Sequence, residues 1–133
     1  MKKNDIGKFS YLVVDDDDLS RDVIGATLAR IGATQVLFAE DAKTAFRMVQ
    51  QHRPDFILLD IYMPDIDGWA LLDRVRQVLP QVAVVMVTGS RQSADFTQSM
   101  EQRVDGFCVK PVLPDVMEKA LIAARIRRQA AGR

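Results

Sequence analysis

The chain has 133 residues, 48% of them hydrophobic and 27% charged, which suits one globular domain and excludes a disordered or fibrous polymer. Eighteen Lys and Arg offset eighteen Asp and Glu, so no net charge draws it to nucleic acid or anionic lipid. The single cysteine, Cys108, excludes a disulfide framework and a cysteine-built zinc site. Residues 1–10 hold no secretory apolar run, and the longest apolar stretch, Val82 to Val87, is far too short to span a membrane, so a cytoplasmic protein is expected.

Short apolar runs alternate with segments of helical period. Tyr11 to Val14 predicts a first strand, followed by a helical stripe of Val23, Ile24, Thr27, Leu28 and Ile31 that Gly32 stops. A second strand, Val36 to Ala39, leads to Asp41 as an N-cap and a face of Ala42, Ala45, Phe46 and Val49, with Pro54 beyond. The third strand is Phe56 to Leu59, and the helix after it buries Leu71, Leu72, Val75 and Leu79 before Pro80. Val82 to Val87 is the fourth strand. The segment from Gln92 to Gln102 has only Phe96 and Met100 as apolar anchors, which predicts the loosest helix. Gly106 to Val109 is a fifth, weaker strand, and a last helix from about Pro114 to Arg128 directs Leu113, Met117, Ala120, Leu121 and Ala124 inward. Nearly continuous apolar strands are those buried on both faces, so the expected class is α/β, a doubly wound parallel sheet with helices on both faces. Residues 1–9 are expected to be a leader, 10–128 the domain and 129–133 a tail.

Ligands in such folds sit beyond the carboxyl ends of the strands. The first strand ends in Asp15 to Asp18, the third in Asp60, the fourth in Thr88, Gly89 and Ser90, and the fifth in Lys110 and Pro111. The order of a five-stranded doubly wound sheet sets at least three of these ends side by side. Like charges about 4 Å apart repel by about 4 kcal/mol at an effective dielectric near 20, so Asp15, Asp16 and Asp60 together call for a cation. A few carboxylates, a carbonyl and waters suit magnesium or manganese. Metal, ammonium and hydroxyl around one carboxylate are the parts that stabilise a transferring phosphoryl group, and a carboxylate can accept that group as an acyl phosphate. The plainer reading stands beside this one. Aspartates at strand ends are often N-caps, and one of Asp17 and Asp18 is expected to cap the first helix.

Val13-Val14-Asp15-Asp16, the run from Leu58-Leu59-Asp60 through Tyr62, Met63, Pro64 and Asp65 to Gly68, Val87-Thr88-Gly89 and Val109-Lys110-Pro111 follow one another in an order and at spacings that resemble the receiver domain of bacterial two-component response regulators. The resemblance runs from about Phe9 to Arg128. It implies a flavodoxin-like fold with strand order 2-1-3-4-5, and Asp60 as the acceptor of a phosphoryl group. It implies magnesium held by Asp16, Asp60 and the backbone carbonyl of Tyr62, with Asp15 acting mostly through water. Thr88 and Lys110 would contact the phosphoryl oxygens, Lys110-Pro111 would be cis, and Phe107 with Thr88 would form the switch. Tyr62 and Ser90 occupy the positions that tune dephosphorylation in the family. Pro64 and Gly68 are structural. The donor would be a sensor histidine kinase or a histidine phosphotransfer protein.

The departures and rivals are specific. Arg103 stands where many relatives carry a glycine that ends the fourth helix. A flavin protein of this fold would need a Ser/Thr/Gly-rich phosphate loop after the first strand, where four aspartates stand. For a haloacid-dehalogenase-type phosphatase, Asp15 and Asp17 fit the spacing but Leu19 does not. A pseudo-receiver that binds partners without phosphorylation usually lacks an acidic or lysine position, and none is lacking here. His52 reads as a surface residue at a helix end, and Arg125, Arg127 and Arg128 as solvated charges that complement a helix dipole. The domain is expected to be no enzyme beyond its own phosphorylation and dephosphorylation. Its output is expected to be a changed surface at the fourth helix, fifth strand and last helix, read by an unknown downstream protein or by a second copy in a phosphorylation-dependent homodimer. Ile122 and Ile126 on the outer face of the last helix would favour such contact. The expected form is a stand-alone receiver; a receiver from a longer regulator or hybrid kinase is the alternative. No nucleic-acid or membrane partner is expected.

Overall fold

A computed structural model describes residues 1–60, 68–89 and 103–132. Five strands form one parallel sheet: β1 (Ser10–Val14), β2 (Gln35–Ala39), β3 (Phe56–Leu59), β4 (Ala83–Thr88) and β5 (Gly106–Val109), in the order β2-β1-β3-β4-β5. The described helices are α1 (Asp18–Arg30), α2 (Ala42–His52), α3 (Gly68–Val78) and a C-terminal helix (Pro114–Ala131), preceded at the start of the chain by a 3₁₀ helix (Lys3–Lys8). The doubly wound fold and its strand order are those expected. The segment from Gln92 to Gln102 that was expected to be a helix lies outside the described residues, as do Tyr62, Pro64 and Ser90.

Alternate side chains of each strand enter two separate cores, because strand side chains point to opposite faces. Leu12, Val14, Ile57, Leu59, Val84 and Met86 pack with Ala45 and Val49 of α2 and Leu71, Leu72 and Val75 of α3. Tyr11, Val13, Phe56, Leu58, Val85, Val87 and Cys108 pack with Ile24 and Leu28 of α1 and Met117, Leu121 and Ala124 of the C-terminal helix. Burial pushes the Cys108 thiol up to about 11. Gly106 permits close approach of the C-terminal helix, since a Cβ there would lie 3.2 Å from the Ala124 Cβ.

The helix ends follow local chemistry. Asp41 caps α2 by accepting from the Thr44 N–H at 2.7 Å, which holds its carboxyl below the usual range. Gly32, with φ of +109°, takes the chain away from α1 in a conformation other residues resist. Asp17 caps α1 through the Ser20 N–H at 3.0 Å, so the plainer reading of that aspartate holds.

Four expectations are corrected. Val23 is 46% exposed, and with Leu19 it lines an apolar groove of about 260 Å³ between α1 and the segment after β5. Of the expected stripe, Ile24, Thr27 and Leu28 are buried, and Val23 faces the groove instead. Leu113 precedes the C-terminal helix as its extended N-cap residue and is 61% exposed. Residues 1–9, expected to be a leader, carry the 3₁₀ helix: Ile6 is wholly buried, and its carbonyl accepts from the Tyr11 hydroxyl at 2.7 Å. The Arg125 guanidinium lies over the Phe9 ring at 4.7 Å, and Arg128 turns inward with its Nε 3.7 Å from the Asp105 carboxylate, so neither is merely a solvated charge.

Asp105 organises the amino-terminal end of the sheet. Its Oδ2 accepts from the Val84 N–H and from Arg76 of α3, both at 2.8 Å, and Arg76 also donates to the Val82 carbonyl. With Arg128 from the C-terminal helix, one buried carboxylate ties α3, β4, β5 and the last helix together. Removing one partner of such a group leaves the others desolvated and unpaired. Asp105→Ala should lower the urea-unfolding free energy by about 2–4 kcal/mol, with Asp105→Asn, which keeps the Val84 bond, losing less. A loss under about 1 kcal/mol in both would show that this cluster does not hold the helices.

Candidate functional site

The carboxyl ends of β1, β3, β4 and β5 meet at one rim, because β1, β3, β4 and β5 are neighbours in the sheet. Asp15 follows the last residue of β1 and Asp60 the last residue of β3. Both are buried, at 1% and 8% exposure, and the Asp60 N–H donates to the Val14 carbonyl at 2.9 Å. Lys110, just past β5, reaches between them. Its ammonium donates to Asp15 Oδ2 at 2.6 Å and to Asp60 Oδ2 at 2.9 Å.

Thr88 ends β4, is buried, and accepts from the Lys110 N–H at 2.8 Å through its carbonyl. Thr88 and Val109 are paired in register, which places the hydroxyl-bearing residue beside the lysine's own strand. The Lys110–Pro111 peptide is cis. Phe107, opposite Met86 in the β4–β5 pairing, is half-buried against the core on the α2 and α3 side. Gly68 opens α3 and is buried.

Charge balance explains why these groups tolerate burial. Two carboxylates beside one another repel, and one ammonium within hydrogen-bond distance of both compensates them. For Lys110, desolvation acts to lower the pKa, but the hydrogen bonds and charges of Asp15 and Asp60 outweigh it and hold the ammonium above its ordinary value.

The acidic run after β1 divides its labour. Asp15 Oδ1 accepts from the Asp17 N–H at 3.0 Å, so both Asp15 oxygens have protein donors. Asp17 caps α1, Asp18 pairs with Arg21, and Asp16 is exposed. Among the described residues no three His, Cys, Asp or Glu side chains gather as a ready-made metal cage. What the rim offers is hard carboxylate oxygen from a few aspartates. That donor set fits a cation that keeps several waters and takes one or two carboxylates, as magnesium does.

Sequence reasoning passed over Arg21, which donates to the Asp15 carbonyl at 2.6 Å, and over Asp105 and Arg76 at the opposite end of the sheet. Arg21 stands six residues after Asp15, and a helical turn that folds back on its own strand could have been counted. Asp105 carries no pattern that separates a buried hub from a turn residue.

A buried acidic pair bridged by a lysine thus lies at the carboxyl rim of a 2-1-3-4-5 sheet. Residues 11–122 match the response regulator receiver domain, and the chain belongs to that family. It is 32% identical over 119 residues to the transcriptional regulatory protein AfsQ1 of Streptomyces coelicolor, covering 90% of this chain and 52% of that one. It is also 32% identical to the sensor histidine kinase RcsC of Salmonella typhimurium, over 90% of this chain and 13% of the kinase. Among solved structures, the Vibrio cholerae chemotaxis protein CheY4 superposes with a TM-score of 0.77 at 28% identity, covering 87% of this chain and 98% of that one. The chain thus spans about half the length of AfsQ1 and a small part of RcsC, and nearly the whole of CheY4.

Lys110→Met leaves two buried carboxylates with no ammonium between them and should lower stability in EDTA by about 2–4 kcal/mol at neutral pH. The folded pKa of Lys110 is raised, so its contribution is complete below the ordinary lysine value and is lost only as pH rises through the folded one. The gap between wild type and variant in urea midpoint should therefore stay level from about pH 7 to about pH 9 and close only in stronger alkali. A gap that closes before about pH 9 would overturn the bridging role of the ammonium.

Proposed function

We propose that this chain is a phospho-accepting switch that takes a phosphoryl group onto Asp60 from a phosphohistidine of a sensor histidine kinase or a histidine phosphotransfer protein. The observation that carries this reading is the position of Asp60, buried at the end of β3 with the Lys110 ammonium 2.9 Å from its Oδ2. A carboxylate oxygen of Asp60 attacks phosphorus, the phosphorus–nitrogen bond breaks, and its electron pair leaves on the imidazole, which takes up a proton. The product is an acyl phosphate on Asp60.

Asp16 and Asp60 would hold magnesium directly, together with the backbone carbonyl of Tyr62, and Asp15 would act through water. When bound, the cation neutralises charge on the phosphoryl oxygens. Lys110 exchanges its bond to Asp60 for one to a phosphoryl oxygen without leaving its place, since Asp15 still holds it. The Thr88 hydroxyl donates to a second oxygen. Moving Thr88 toward the phosphoryl group shifts the end of β4, and Phe107, opposite Met86, turns inward to fill the space. The altered β4–β5 face is then read by a downstream protein or by a second copy. The intact set of Asp15, Asp16, Asp60, Thr88 and Lys110 favours this over a pseudo-receiver.

Incubation with a small-molecule phosphoryl donor and magnesium should add one phosphoryl group to the wild type, detected by intact mass, and none to Asp60→Asn. Wild type that stays unmodified while correctly folded would leave the pseudo-receiver. Solution mass with beryllium fluoride as a phosphoryl mimic distinguishes the readers: a dimer formed through Asp60 means self-association, and a monomer means a separate protein. A bulky residue two positions after the acceptor would slow loss of the phosphoryl group, so the phosphorylated Tyr62→Ala variant should hydrolyse faster than wild type. An equal or slower rate would remove that role.

A further inference from the structure

Arg21 is not part of the acidic rim, yet its side chain is only 14% exposed, and one arm reaches the loop that carries the rim's aspartates while the other reaches the first residue of α1. Nη1 donates to the Asp15 carbonyl at 2.6 Å, and Nη2 pairs with the Asp18 carboxylate. The Asp15 carbonyl belongs to the peptide that joins Asp15 to Asp16. A peptide is planar, so fixing its oxygen fixes the direction in which the chain enters Asp16.

Every other polar group of Asp15 is also engaged. Its N–H donates to the Ala39 carbonyl at 3.1 Å, Oδ1 accepts from the Asp17 N–H, and Oδ2 accepts from Lys110. Asp16 lacks this bracing and is exposed. Among the described residues, Arg21 is the side chain from another element that holds the plane preceding Asp16, beside the Asp15–Asp17 turn that encloses it.

We propose that Arg21 is a positioning residue that aims the Asp16 carboxylate at the cation site by clamping the Asp15–Asp16 peptide. This inference rests on the reading of Asp16 and Asp60 as magnesium holders. A planar guanidinium suits the task because one arm can hold a carbonyl while the other is held by Asp18. The role is distinguishable from simple electrostatics by sign. Arg21 is a positive charge next to a cation site, so deleting it should tighten magnesium binding if only charge mattered. Loss of aim should weaken it, as removal of groups that orient metal ligands does.

The experiment is calorimetric titration of magnesium chloride into the full chain and its variants, with thermal unfolding of each in EDTA alongside. Arg21→Ala should raise the magnesium Kd about tenfold, and Arg21→Lys, which keeps the charge and one donor, should recover part of the affinity. Asp18→Asn, which leaves the carbonyl contact intact, should stay within about threefold of wild type. A magnesium Kd for Arg21→Ala equal to or below wild type overturns the proposal, whatever its unfolding temperature, because a structural brace alone would lower the latter and spare the former. If Arg21→Ala does not fold, an unchanged Kd in Arg21→Lys overturns it. Wild type that binds no magnesium overturns the cation-site reading and, with it, the role of Arg21.

Discussion

One ammonium shared by two buried carboxylates is the interaction around which the rim is arranged. Lys110 comes from the end of β5, Asp15 from the end of β1 and Asp60 from the end of β3, so the bridge spans the middle of the sheet and its far edge. Its polarity suits the chemistry of the family. The carboxylate that accepts a phosphoryl group needs a compensating charge before the reaction and a partner for the phosphoryl oxygens after it. Under the proposed function, Lys110 would supply the first at Asp60 and be kept in place for the second by Asp15.

The sheet makes this convergence possible. Parallel strands place all their carboxyl ends on one side, and the order β2-β1-β3-β4-β5 sets β1, β3, β4 and β5 next to one another. The rim is supported from below by two apolar cores and at the opposite end by Asp105, which joins α3, β4, β5 and the C-terminal helix. A polar hub at one end and a charged bridge at the other bracket β4 and β5. In the proposed switch, a displacement of Thr88 at the rim would travel along strands that are held at their far end.

The strands and most helices were legible residue by residue. Phe56 to Leu59 and Gly106 to Val109 have the bounds read from their apolar runs, and Asp41, Gly32 and Asp17 end or begin helices by local hydrogen bonding or backbone preference. The site's aspartates, threonine and lysine were legible because strand ends can be counted. Val23, Leu113 and Arg128 were misread, since helical period says which residues share a face and not how far a neighbouring element covers it. Ile6 was missed because a single apolar residue in a polar stretch has no period at all.

The sequence by itself determined the class of fold, the two-faced burial of β1, β3 and β4, though not of β2, where Phe38 is exposed, and the set of residues that reach the rim, because these depend on local pattern and on chain order. Tertiary structure alone decided that Lys110 bridges Asp15 and Asp60, that Arg21 turns back onto the Asp15 carbonyl, and that Asp105 gathers two arginines from distant helices. Each of those contacts joins side chains whose meeting depends on how strands align and how far helices overhang them. Long side chains such as Lys and Arg have many rotamers, and only the packed neighbours select one.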